Sequence, residues 1–93
     1  MTKLETWYLD NRLRVEGMGI RLLSPTSKPV HYIDGEYGRY YFRFIDRGNG
    51  EPDIEIMDTV LGQTVRHNLS GSSEPELAYD DAIKFILKLD HQR

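Results

Sequence analysis

The stretch Arg39-Tyr-Tyr-Phe-Arg-Phe-Ile-Asp46 decides how this chain is read. Tyr40, Phe42 and Phe44 alternate with Tyr41, Arg43 and Ile45, and a β-strand sends successive side chains to opposite faces. One face of such a strand is wholly aromatic and demands cover. The other mixes arginine, tyrosine and isoleucine, a surface suited to water, a neighbouring strand or a partner.

Downstream, Arg47-Gly-Asn-Gly-Glu51 reads as a loop leading to a second strand. Matching apolar positions predicts the register: Phe44 opposite Ile54, Phe42 opposite Ile56, Arg43 opposite Glu55 and Ile45 opposite Asp53. A one-residue slip would turn one apolar set to water. Arg43 is therefore expected to be neutralised by Glu55, with Asp53 diagonally near. Gly62-Gln63 suits a two-residue turn with Gly first. That turn predicts Val60 opposite Val65, Asp58 opposite His67 and Ile56 opposite Leu69. The expected inner face is Tyr40, Phe42, Phe44, Ile54, Ile56, Val60, Val65 and Leu69. Residues 73–90 predict a helix: Ser73-Glu-Pro-Glu76 fits a capping box with Pro in the first turn. Ala78, Ala82, Phe85, Ile86 and Leu89 share one face of it and should pack on the aromatic sheet.

Upstream, the pattern supports two readings of residues 3–15. Thr2-Lys-Leu-Glu5 fits a capping box, and Leu4, Trp7 and Tyr8 would share a helical face. Alternatively, Thr6–Leu9 and Arg12–Val15 flank Asp10-Asn11, two residues that tolerate a tight hairpin. The aromatic and β-branched content favours strands, so the hairpin is the expected element. Met18, Ile20 and Leu22 alternate as a short strand. Ser24–Pro29, with two prolines, is a loop. Val30–Ile33 precedes Asp34-Gly35, a hairpin turn signal, and Gly38 suits a bulge at the start of the central strand.

Ninety-three residues with 39% apolar and 29% charged positions predict one soluble globular domain spanning 1–93. No apolar run approaches the ~20 residues of a membrane span, and the N-terminus carries no signal-peptide apolar region. The absence of cysteine fits a reducing compartment, so a cytoplasmic location is expected. The net charge is −3, unevenly divided: residues 1–47 carry eight Lys and Arg against six acids, and residues 48–93 four against nine. A net acidic chain argues against general nucleic-acid binding, which needs clustered cations.

The candidate binding residues fall into three sets. Glu51, Asp53, Glu55 and Asp58, joined by Glu74, Glu76, Asp80 and Asp81, would form an acidic surface able to occupy a basic groove. Ile83 and Leu87 lie roughly 100° around from the helix core stripe. They offer an apolar face to a homodimer or partner protein, unless the N-terminal segment with Trp7 covers it. Arg39, Tyr41 and Arg43 on the outer sheet face could track phosphates and stack a base. Chemistry is weakly signalled. Asp58 beside His67 reads as a structural ion pair, because no nucleophile can be assigned to it. His31, His67 and His91 lack metal-ligand spacing, and Gly48-Asn-Gly50 is a turn without the helix a phosphate loop requires. No cofactor is implied.

Three strands followed by a helix, ending in Ala78-Tyr-Asp-Asp-Ala82, resemble the integrase arm-type DNA-binding domains over residues 39–90. Those domains read DNA with a basic sheet, whereas the second strand here carries Asp53, Glu55 and Asp58, so no binding residue carries over. The expected fold is α+β: an antiparallel meander of about five strands against one C-terminal helix. The expected function is non-catalytic protein binding by a small adaptor or inhibitor. A phage or mobile-element inhibitor of a nucleic-acid-processing machine is a concrete version. The alternative is a nucleic-acid module using Arg39, Tyr41 and Arg43.

Overall fold

The aromatic alternation is realised as a central strand. The computed structural model describes residues 1–26, 28–47, 52–66 and 74–89. Its elements are α1 (Lys3–Glu16), β1 (Arg21–Leu22), β2 (Tyr32–Tyr37), β3 (Tyr40–Asp46), β4 (Pro52–Asp58), β5 (Gln63–Val65) and α2 (Pro75–Leu89). The strands form one antiparallel sheet in the order β1-β2-β3-β4-β5. Along β3, Tyr40, Phe42 and Phe44 are buried, while Tyr41, Arg43 and Ile45 are half-buried. The β3–β4 register is the expected one, with Phe44 opposite Ile54 and Arg43 opposite Glu55. Apolar matching alone fixed it.

Both helices pack on the aromatic face. Trp7 of α1 meets Phe44 edge-on at 5.2 Å, and Tyr79 of α2 stacks on Phe44 at 5.2 Å. Trp7 and Tyr79 themselves lie 5.7 Å apart. Such ring pairs add about 0.5–1.5 kcal/mol each beyond the area they bury. On α2, Ala78, Ala82, Ile86 and Leu89 are buried as expected and Phe85 is partly buried. The capping Ser73 lies outside the described residues.

Residues 3–16 are helical, which corrects the hairpin reading. Thr2 is the N-cap and accepts a hydrogen bond from the Glu5 amide, as the capping box requires. A second acceptor comes from the sheet: the Leu4 amide donates to a carboxylate oxygen of buried Asp46 at 3.4 Å. A negative group there also complements the helix dipole. Asp10 and Asn11 sit mid-helix, where Asn11 donates to the Trp7 carbonyl. Leu4, Trp7, Tyr8 and Val15 are buried, but Leu9 and Leu13 face solvent. Those two leucines blur the amphipathic pattern, which is why strand propensity looked decisive.

Two turns also differ from expectation. Asp34-Gly35 is not a turn; it lies inside β2, and the chain reverses at Gly38-Arg39, with Tyr37 paired to Tyr40. Gly38 has φ +58°, so it serves the turn rather than a bulge. Gly35 meets a different demand, since it lies opposite Phe42, and a Cβ there would stand 2.3 Å from the Phe42 ring. The β4–β5 turn spans Thr59–Gly62, so Ile56 faces Val65 and Asp58 faces Gln63. Val60 is therefore 68% exposed instead of core, and Leu61 beside it 59% exposed. Leu69 and His67 lie outside the described residues.

Gly35→Ala should destabilise the protein by about 1–3 kcal/mol, because the added methyl must displace the fully buried Phe42 ring. Denaturant unfolding would register this as a lower midpoint at unchanged slope. An unchanged midpoint would show that the ring can yield.

Candidate functional site

With both helices on one side, the opposite sheet face is left uncovered among the described residues. The register arranges its side chains in rows across the strands. Tyr32, Ile45 and Asp53 form one row. Asp34, Arg43 and Glu55 form the next, and Arg21, Glu36, Tyr41, Met57 and Thr64 the third. Tyr32 is 36% exposed and Met57 48% exposed, on a face that also carries half-buried Ile45 and is otherwise largely polar and charged. A groove of about 350 Å³ runs between the second and third rows, lined by Tyr41, Arg43, Glu55, Met57 and Thr64.

Arg43 holds the centre of this face, but not through Glu55 as expected. Its guanidinium donates to both carboxylate oxygens of Asp34, at 2.7 and 3.2 Å, and lies 4.6 Å from the Tyr32 ring centre. The backbone pairing with Glu55 is right; the side chain turns to the other strand, where carboxylate and ring act together. The fork to Arg43 holds the Asp34 carboxyl below its ordinary value, and Arg43 is raised in return. A hydrogen bond to Asp34 likewise raises the Tyr41 hydroxyl. Tyr32, Asp34, Tyr41 and Arg43 thus form one interlocked group.

The other expected sets disperse. Arg39 leaves the outer face and pairs with Asp58 at 2.8 Å at the end of the sheet. Arg39, Tyr41 and Arg43 therefore do not make one basic strip. Asp58 is 3% exposed and pairs with Arg39, while the His67 expected beside it lies outside the described residues. Burial pushes its carboxyl up, yet the Leu61 and Val60 amides and Arg39 together hold it below the usual range. Its work is to fix the β4–β5 turn.

The acidic surface does not assemble either. Asp53 pairs with Arg47 on the open face, and Glu55 is exposed there. Glu76 and Asp80 belong to α2, on the other side of the sheet. Asp80 joins the two helices, accepting from the buried Trp7 indole at 3.0 Å and from Arg14 at 2.6 Å. Glu51 lies outside the described residues. Ile83 is 1% exposed within the cluster that holds Trp7, and Leu87 packs against that cluster. The apolar helix face is thus covered within the chain and not presented to a dimer. Tyr32, Asp34, Met57 and Thr64, none of them a candidate binding residue by sequence, share the uncovered face with Tyr41 and Arg43. Only the alternation along β2 could have signalled the first two.

No group of three or more His, Asp or Glu side chains stands close enough to hold a metal ion among the described residues. Nor is any described helix long and apolar enough to cross a membrane. No family profile matches the sequence, and no curated protein and no solved structure is significantly similar to it.

A depressed Asp34 carboxyl means that its ionised form stabilises the fold above the unfolded value, near pH 4. That stability is lost as pH falls through the lower folded value. Asp34→Asn should therefore be less stable than the native chain at neutral pH. The gap should narrow between about pH 5 and pH 3 in denaturant titrations. A gap that stays constant over that range would show the ion pair to be inert.

Proposed function

We propose that the protein is a non-catalytic binding domain that engages a partner protein through the uncovered sheet face. The carrying observation is the one-sided placement of both helices. It leaves Tyr32, Tyr41 and Met57 among paired charges on a five-stranded platform. Aromatic side chains, methionine and arginine are the residue types enriched where proteins meet. Tyrosine adds contact area at low entropic cost, and methionine adapts its shape to a partner.

The charge pattern favours protein over nucleic acid. On this face Arg43 is held by Asp34, Arg47 by Asp53, and Arg21 lies 3.9 Å from Glu36. Glu55 adds a further negative charge. Phosphate tracking depends on cations able to release condensed counterions, and these arginines are already neutralised by carboxylates. The role of adaptor or inhibitor follows from the same platform, since blocking or bridging needs a surface and no chemistry.

Replacing Met57 in the full chain with a photo-crosslinking residue tests the reading. In cells that express the protein, position 57 should yield a discrete protein adduct. Position 84, exposed on the helix side, should not. Equal adducts from both positions, or none from position 57, would overturn it. Salt-sensitive retention on heparin would favour the nucleic-acid alternative.

A further inference from the structure

The face holds a guanidinium of its own, and the way it does so indicates what else it can hold. Arg43 lies over the Tyr32 ring while both oxygens of Asp34 accept from it. An aromatic face beside a carboxylate is thus the setting this sheet uses for a planar cation. In the neighbouring groove an aromatic residue and a carboxylate again share one space: Tyr41 from β3 and Glu55 from β4 line it together with Arg43, Met57 and Thr64.

The electrostatics of that groove are unbalanced. Glu55 is exposed and closes no ion pair among the described residues. Its cross-strand neighbour Arg43 is turned to Asp34, and Arg47, which feels the Glu55 charge, bonds Asp53. Arg43 lines the groove with its charge matched by Asp34, and Arg47 is matched by Asp53, so the Glu55 charge is left over beside an aromatic ring and a thioether. An anion would meet Glu55, and a purely apolar chain would desolvate it without return.

We propose that the groove receives an arginine side chain presented by the partner protein. The guanidinium lies between the Glu55 carboxylate and the Tyr41 ring, and its aliphatic stem runs along Met57. The proposal rests on the protein-binding reading of this face and names what the face recognises. Arginine suits it better than lysine, because a planar fork satisfies carboxylate and ring together whereas an ammonium is a compact, strongly hydrated charge.

Titration of the full chain with Nα-acetyl-arginine amide, followed by amide NMR shifts, tests this directly. Saturable shifts should concentrate at Tyr41, Glu55, Met57 and Thr64. Nα-acetyl-lysine amide should bind more weakly at the same positions. Glu55→Gln should weaken the arginine titration by about fivefold, the scale of an exposed cation–π or ion-pair contact. Its spectrum elsewhere should be unchanged, since Glu55 supports no described ion pair. Shifts spread evenly over other exposed acids such as Asp10, Glu16 and Glu76, or a Glu55→Gln titration equal to the native one, would overturn the proposal. If arginine fails at the groove while crosslinks from position 57 persist, the arginine specificity falls and the protein-binding reading stands. If those crosslinks are absent as well, both fall.

Discussion

Three rings, Trp7, Phe44 and Tyr79, decide the rest of the structure. They come from α1, β3 and α2, and each lies within 6 Å of the other two. A small domain without disulfides has few ways to join three elements, and large aromatic side chains bury the most area per contact. The Trp7 indole N–H needs a partner once buried, and Asp80 supplies it while also accepting from Arg14. Polar and apolar contacts thereby agree on one docking of α1 against α2. The consequence is asymmetric: a sheet with both helices on one face keeps the other for water or for a partner.

Legibility in the sequence followed the range of the interactions involved. β3 and its pairing with β4 were readable because alternation and apolar matching are local and every wrong register exposes rings. α2 was readable because its stripe is strong and its start carries a capping signature. α1 was not, since Leu9 and Leu13 point to solvent, and the Asp46 carboxylate that supports its N-terminus lies 42 residues away in sequence. Asp34-Gly35 misled for a physical reason: the glycine is there to admit the Phe42 ring, and nothing in its own neighbourhood says so. The turn expected at Gly62-Gln63 spans Thr59–Gly62 instead, with Gln63 already in β5. Thr59–Leu61 depend on the buried Asp58 and on Arg39 from another hairpin.

The candidate site was less legible than the fold, because charge pairing is decided by side-chain direction and not by register. Glu55 does stand opposite Arg43, yet the guanidinium prefers the strand where a tyrosine ring and a second carboxylate oxygen are both in reach. The division of the chain into a basic and an acidic half suggested two oppositely charged surfaces. The fold instead interlocks the halves: Arg14–Asp80, Arg39–Asp58 and Arg47–Asp53 each join one half to the other. What the sequence counts as patches, the structure spends largely on its own ion pairs.

That consumption sharpens what remains. Tyr32, Asp34 and Arg43 hold one another in place, so part of the uncovered face is ordered without a partner. A surface fixed in advance loses less side-chain entropy on binding, and a few adaptable groups can then set its selectivity. In the interface proposed here Glu55 and Met57 are those groups, one carrying the charge the face has left over and the other a flexible apolar contact. Exposed pairs contribute little to folding, so the absence of an ion-pair partner for Glu55 among the described residues is neutral for stability. In the binding mode proposed above, it leaves the carboxylate open to a ligand. In that mode, a carboxylate beside a tyrosine ring would favour a cation over an anion and a planar cation over a compact one.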